Sequence, residues 1–458
     1  MNVNNENLAQ KLSRGAKNSS LFPNLEILGS YCDFSQAVVI DYMDETKFDQ
    51  LIRLIENYHT KTQTKDFYYI DNEYTLVDQF FSTCIHELTH WLDHTSTLWG
   101  QKHLILTYNA INAWTNHKED DFWRIVKHNS ARRRARLSTY YTENYKGIKI
   151  FSSKDPWQYE YSCGVEFGAD GKPQEERPII FTRFSSSSNE PLIRIPFSVA
   201  SLTETNAKNA EFIVNAQSLA LLSEECRVIE SSLYSNRIKE SLYNPQLAIY
   251  SVASHHLANK LQIFDIHIAY KFASALSILC LNLPSKLFDS LKIPEDFSSF
   301  FERTQAFKKL SDPGFAYFTI TWNAPKYQEG LSVESWLEEA VKLSGLPSLD
   351  EINKFVLLEM KELEETILNG KYVDKLKSLL AIGRSNYTKR GIYGKEVLSF
   401  QNLFTTDIEL PLILLGDENI IPISRKNDPS QAQEMKTWIN EALDFENAIN
   451  TFLEACRY

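Results

Sequence analysis

Two histidines and a glutamate near residue 90 have the spacing of a zinc-binding helix. His86-Glu87-Leu88-Thr89-His90 fits the pattern HExxH, which places two imidazoles about one helical turn apart so that both can reach one Zn²⁺ ion. Glu87 adjoins the first histidine, where it can take a proton from a water molecule that the ion has acidified. The motif predicts His86 and His90 as metal ligands and Glu87 as the catalytic general base.

The residues around the motif predict the helix that must carry it. From about residue 75 to residue 95, apolar side chains recur with helical spacing and form one broad face: Val77, Phe80, Phe81, Cys84, Ile85, Leu88, Trp91 and Leu92. His86, His90 and His94 lie on the other side. The pattern predicts a helix that packs through its apolar face and turns its histidines towards a cleft.

Zinc needs a third protein ligand, and His94 is badly placed to be one. It lies about 12 Å along the helix axis from His86, too far to share an ion on an unbroken helix. We therefore predict that His94 and its neighbour Asp93 either support the ligands from outside the coordination sphere or lie on the surface. Binding by His90 and His94 as a pair is the weaker alternative.

A carboxylate on a later helix is a better third ligand. Ser198 is a plausible N-cap, and Glu204 on the helix that follows shares a face with Ala200, Ala207 and Glu211. The small residues would allow a second helix to approach closely. Glu211 is then a further candidate for supporting the ligands.

The two segments together resemble those of gluzincin metallopeptidases. The resemblance rests on His86-Glu87-Leu88-Thr89-His90 and on a later Leu-x-Glu-x-x-Ala segment, Leu202-Thr203-Glu204-Thr205-Asn206-Ala207. It implies a zincin-like core, Zn²⁺ as the cofactor, and His86, His90 and Glu204 as ligands with Glu87 as base. The stretch between the two segments is longer than in compact gluzincins and implies an insertion.

Glu225 is the alternative third ligand. Leu219, Leu222, Cys226, Ile229 and Leu233 have helical spacing, and Glu225 falls inside the apolar arc that they define. A carboxylate buried there would need a charged partner, which a metal ion or a distant cation would supply.

Composition and charge restrict the class of protein. The 458 residues are 43% hydrophobic and 23% charged with a net charge of −11, which argues against a nucleic-acid partner. No apolar leader and no long apolar run is present, so neither export nor membrane insertion is expected. Six scattered cysteines without a CxxC pair favour a cytoplasmic protein. Arg132-Arg133-Arg134 with Arg136 is interpreted as a solvated run of charge, with binding of an acidic partner, a nucleic acid or a peptide C-terminus as the alternative.

The predicted fold class is α+β. We predict a polar tail over residues 1–20, a zincin-like region with a mixed sheet over 21–284, and a mainly helical region over 285–458. Strand-like alternation between about 157 and 197 indicates a β-rich insertion in the zincin-like region.

The expected function is zinc-dependent hydrolysis of peptide bonds in a protein or peptide substrate. The large helical region suggests a restrained enzyme that acts on one protein target or awaits a regulatory partner or trigger. The alternatives are a metal-dependent hydrolase of non-peptide amides, and a regulatory or interaction protein with a structural or vestigial metal site. No sequence feature indicates the oligomeric state.

Overall fold

The protein, described from a computed structural model, is a helix-dominated mixed α/β chain whose described residues form two small sheets. The structure describes residues 7–19, 28–61, 71–145, 157–168, 170–395, 397–423 and 428–456. The helices are α1 (Leu8–Ser19), α2 (Glu45–Lys61), α3 (Asp71–Ser96), α4 (Leu98–Asn116), α5 (Trp123–Ala135), α6 (Leu137–Tyr141), α7 (Val199–Leu219), α8 (Glu224–Leu242), α9 (Ala248–Leu261), α10 (Ile266–Leu281), α11 (Phe301–Leu310), α12 (Pro313–Asn323), α13 (Val333–Leu343), α14 (Leu349–Glu362), α15 (Val373–Arg390) and α16 (Ala432–Ala455). The strands are β1 (Ser30–Cys32), β2 (Ala37–Ile40), β3 (Glu143–Asn144), β4 (Gln158–Phe167), β5 (Pro173–Ser185), β6 (Pro191–Phe197), β7 (Ile413–Leu415) and β8 (Ile420–Ile421). The predicted combination of helices and sheet is thus confirmed.

The chain divides into two compact units, each built from separate segments. Unit 1 comprises Met1–Trp91, Ala207–Lys239 and Val397–Glu446, and unit 2 comprises Leu92–Asn206, Glu240–Glu396 and Asn447–Tyr458. The division falls inside α3 and inside α7, and both helices continue through it unbroken.

Unit 1 contains a mixed sheet with the strand order β1-β2-β7-β8. β2 pairs with β1 antiparallel and with β7 parallel, in a register that places Val39 opposite Leu414. All four residues of β2 are buried, as expected for a strand covered on both faces. The predicted apolar face of α3 packs in this unit: Val77, Phe80, Phe81, Cys84, Ile85 and Leu88 are fully buried.

Unit 2 contains an antiparallel sheet with the strand order β3-β6-β5-β4. Three of its strands form the β-rich segment that was predicted near 157–197. Inward-facing residues of β5 and β6, such as Phe184 and Ile195, join a large core with α9, α10 and α12. The apolar side chains of these helices therefore form the packed core of unit 2.

Three expectations about chain organisation need correction. Residues 8–19 form α1 with Leu8, Ala9 and Leu12 buried, where a polar tail was predicted. The predicted boundary near residue 284 is wrong, since residues on both sides of it belong to unit 2. Leu287 and Phe288, which lie between Pro284 and Pro294, are part of the core of that unit. The segment 285–458 is mainly helical as predicted, but its strands β7 and β8 complete the sheet of unit 1.

The arginine cluster is not a solvated run of charge. Arg132 and Arg136 are buried, and the Arg134 guanidinium contacts Glu166 and Asp312, each at 2.7 Å. These arginines therefore take part mainly in packing and ion pairs inside unit 2.

Among the described residues, no single helix is long and apolar enough to cross a membrane. One pair, Pro245–Leu261 with Ile266–Leu281, meets the length and composition criteria only jointly and is bent by 105°.

Candidate metal centre

Helix α3 brings the imidazoles of His86 and His90 together. Their Nε2 atoms lie 3.2 Å apart, since residues four apart on an α-helix occupy the same face one turn along. The His86 side chain is 14% exposed, and His90 is buried. The histidine side of α3 is therefore more enclosed than the cleft that the sequence predicted.

Helix α7 contributes Glu204, which is completely buried. The helix begins directly after Ser198, where the N-cap was predicted, and the small residues Ala200 and Ala207 are also buried. His86, His90 and Glu204 each offer one ligand atom, and these atoms all lie within 4.8 Å of one another. Of the residues that the structure describes, only these three form such a group.

The donor set matches the preferences of zinc. Two nitrogens bound at about 2.0–2.1 Å in a tetrahedral site lie about 3.3 Å apart, which the 3.2 Å between the imidazole Nε2 atoms approaches. Two histidines and one glutamate are also a ligand set found in catalytic zinc sites, where a fourth position stays open. The residues present therefore fit the ion that the motif predicts.

Glu87 lies on α3 beside His86 and is 7% exposed. Its Cγ approaches the backbone of Gly29, just before β1: a Cβ built on Gly29 would lie 3.2 Å from that atom and 2.6 Å from Cγ2 of Thr83. A glycine thus permits close approach of the chain to the predicted base. No sequence pattern had identified this contact.

Glu211 lies beside His86, as its predicted supporting role requires. Its Oε2 atom is 3.3 Å from Nδ1 of His86 and 2.9 Å from Nζ of Lys208. Burial would raise the pKa of Glu211, but the positive charge of Lys208 and the hydrogen bond with His86 outweigh burial and lower this pKa to about 2. Glu211 is therefore a carboxylate at neutral pH, able to accept a hydrogen bond from Nδ1.

Two further polar pairs join α3 and α7 beyond this contact. Ser82 Oγ donates to Oδ1 of Asn215 at 2.6 Å, and Ser218 Oγ donates to Asp78. As the residue numbers of the partners on α3 increase, those of the partners on α7 decrease, so these parts of the two helices run antiparallel. Together the pairs fix how far one helix is shifted along the other.

His94 and Asp93 are both buried, so their interpretation as surface groups is wrong. The Nε2 atom of His94 lies 3.0 Å from Nδ1 of His103 on α4, and His94 is not a member of the three-residue group. The Oδ2 atom of Asp93 accepts a hydrogen bond from Nδ2 of Asn206 at 2.8 Å. Asp93 thus contacts α7 two residues from Glu204.

Glu225 is exposed near the N-terminus of α8, so the expectation of a buried carboxylate is wrong. The apolar arc used to predict its burial is itself partly exposed, with Ile229 at 62% and Leu233 at 48%. Buried residues of α8 instead include Tyr234 and Ile238. Helical spacing located an apolar stripe but not the side of the helix that packs.

Comparison with known proteins found no match: no family model, no curated protein and no solved structure resembles this chain at a significant level.

Proposed function

We propose that the protein is a zinc-dependent metallopeptidase in which His86, His90 and Glu204 hold the ion. The observation that carries the proposal is the convergence of these three residues within 4.8 Å. Two lie four residues apart in an HExxH motif, whereas Glu204 comes from a different helix. An accidental HExxH sequence on a helix gives no reason for a buried carboxylate to lie beside its histidines.

The surroundings of His86 support the same proposal. A histidine that binds metal through Nε2 commonly donates its Nδ1 proton to a carboxylate, which fixes the tautomer and the orientation of the ring. Glu211 lies at the required position next to Nδ1. In this tautomer the lone pair of His86 Nε2 would be available to bind the metal ion together with Nε2 of His90.

Glu87 is proposed to move the proton during hydrolysis. A zinc ion bound here would supply Lewis acidity towards a water molecule and the substrate carbonyl. Glu87 would accept the proton of the attacking water and then pass it to the leaving amine. In support of this role, Glu87 directly follows the ligand candidate His86, and its Cγ packs against Gly29. In this scheme Glu87 is the catalytic residue and is not a ligand.

The finer fold assignment is part of the proposal. A zincin-like lobe combines a mixed sheet with the helix that carries HExxH, and unit 1 contains both the β1-β2-β7-β8 sheet and most of α3. This combination supports the assignment. Two of the four strands, β7 and β8, come from a segment that lies far along the chain from β1 and β2.

Elemental analysis of the purified protein tests the metal site. We expect about one zinc per chain in the wild type and its loss in His86→Ala and Glu204→Ala. Glu225→Ala is the matched control, because it removes an exposed glutamate and should keep the zinc. Loss of zinc in Glu225→Ala but not in Glu204→Ala would reverse the choice of third ligand.

Substitution of the proposed base tests catalysis. Glu87→Gln should keep zinc at the wild-type level and lose nearly all hydrolysis of a fluorescence-quenched peptide library, since an amide cannot accept the proton. If the wild type binds zinc and cleaves only non-peptide amides, the metal site stands and the peptidase assignment fails. If Glu87→Gln retains full hydrolysis, Glu87 is not the base.

A further inference from the structure

Two buried, oppositely charged residues interact with each other and have no part in the proposed chemistry. Asp93 on α3 is completely buried, and Arg390 at the end of α15 is 5% exposed. Burial lowers the pKa of Arg390, and the negative charge of Asp93 opposes that shift. Removal of a charge from water is costly, so such groups are retained where they are paired and hydrogen-bonded.

Hydrogen bonds connect this pair to both helices of the site. Asn206 donates from Nδ2 to Oδ2 of Asp93 at 2.8 Å, and Arg390 donates from Nη1 to Oγ of Ser96 at 3.3 Å. Asp93 follows the ligand candidate His90 by three residues on α3. Asn206 follows Glu204 by two residues on α7, and both are buried.

We propose that Arg390, Asp93 and Asn206 form a positioning network that holds Glu204 in place for metal binding. The inference rests on the proposed function and names the residues that support its third ligand. A ligand atom must lie within about 0.2 Å of its ideal distance, whereas a one-residue slip of a helix moves its side chains by about 1.5 Å and turns them by about 100°. The hydrogen bond between Asp93 and Asn206 resists such a slip close to Glu204.

Arg390 and Asp93 interact electrostatically inside the protein. A nearby cation favours the charged form of a buried carboxylate, and a charged carboxylate only accepts hydrogen bonds. Such an acceptor is what the amide of Asn206 contacts in this network. In this way α15, which lies in the predicted C-terminal helical region, contributes to the metal centre.

A pair of double variants separates positioning from the cost of a buried charge. Asp93→Leu with Arg390→Met removes both charges and the acceptor for Asn206. Asp93→Asn with Arg390→Met removes both charges and keeps an amide oxygen as acceptor. We measure zinc affinity by chelator competition, and the visible absorption of the Co²⁺-substituted protein as a report on ligand geometry. Circular dichroism and thermal unfolding check that both variants fold.

The first double variant should bind zinc about 10–100-fold more weakly, the usual effect of losing a group that supports a ligand, with an altered Co²⁺ spectrum. The second should remain close to wild type in both measurements. If the first variant has wild-type zinc affinity and a wild-type Co²⁺ spectrum, the positioning role is wrong and the proposed metal site still stands. Absence of zinc from the wild-type protein would overturn the metal site, and this inference with it.

A single substitution keeps the test decisive if the double variants do not fold. Asn206→Ala removes the donor to Asp93 and leaves the Asp93–Arg390 charge pair intact. Asn209→Ala is the matched control, a buried asparagine on the same helix. We expect weaker zinc binding and a changed Co²⁺ spectrum in Asn206→Ala only. Equal zinc affinities for the two variants would contradict the proposal.

Discussion

Nδ1 of His86 lies 3.3 Å from Oε2 of Glu211, on the opposite side of the imidazole from the Nε2 atom that faces His90. The same Glu211 oxygen is 2.9 Å from Nζ of Lys208. The carboxylate is therefore shared between a candidate ligand and a cation. Because Nδ1 faces a carboxylate acceptor, this contact favours the tautomer of His86 with its proton on Nδ1, which the proposed metal site requires.

Glu211→Ala should weaken zinc binding by about 10–100-fold, because the carboxylate that orients His86 is lost. Glu211→Gln retains an oxygen acceptor and should have a smaller effect. Chelator competition measures both affinities. Zinc binding by Glu211→Ala at the wild-type level would show that the contact does not orient a ligand.

The contact between Ser82 and Asn215 should contribute to stability. Asn215 is buried, and its loss leaves the hydroxyl of Ser82 without this acceptor. We expect Asn215→Ala to reduce the free energy of unfolding by about 1–3 kcal/mol. Urea unfolding followed by circular dichroism measures the change. Asn440→Ala, an exposed helical asparagine on α16, is the control and should change stability little.

Local patterns predicted the elements of the site well. The spacing of Val77, Phe81 and Leu88 predicted both the helix and the face that is buried, because helical periodicity depends only on near neighbours. Ser198 marked the beginning of α7 for the same reason. These signals placed His86, His90 and Glu204 on two helices, and the structure brings the three together.

Relationships between distant segments were not predictable from these patterns. The parallel partner of β2 is β7, far along the chain, and its short apolar run carries no mark of its partner. Arg390 likewise gave no signal of its interaction with Asp93. Glu225 shows the opposite error, since a real apolar stripe on α8 is partly exposed. Which face packs is decided by tertiary contacts, and one sequence does not encode them in a local pattern.

A buried histidine cluster in unit 2 should make the protein sensitive to acid. His94, His103 and His128 are all buried, and the rings of His103 and His128 are 5.6 Å apart. Burial, together with the positive charge of Arg132, lowers the pKa of His128 from 6.5 to about 3, and burial lowers the pKa of His103 well below 6.5. The folded protein thus keeps the rings of His103 and His128 neutral at pH values where the unfolded chain binds protons.

The contribution of His128 to stability is fully present above about pH 6.5 and is lost as pH falls from there towards about 3. It gives a slope of about 1.4 kcal/mol per pH unit in that range. His128→Leu should reduce the slope, as measured by urea unfolding at pH 7, 6 and 5. His117→Asn, at an exposed position that ends α4, should leave it unchanged. An unchanged slope in His128→Leu would contradict the assignment of acid sensitivity to this cluster.

Gly29→Ala should impair catalysis without removing the metal. The added Cβ would lie 2.6 Å from Cγ2 of Thr83, 3.1 Å from the backbone oxygen of Val39 and 3.2 Å from Cγ of Glu87, so Thr83 must move and we expect Glu87 to be displaced by a few tenths of an ångström. We expect at least a several-fold fall in kcat with unchanged zinc content, because small misplacements of a catalytic group cost rate steeply. Thr83→Ser deletes the closest methyl group, so Gly29→Ala with Thr83→Ser should recover part of the lost kcat, whereas Thr83→Ser alone should resemble wild type. Suppose that Glu87→Gln abolishes peptide hydrolysis but Gly29→Ala keeps the wild-type kcat. The contact with Gly29 then does not position the base.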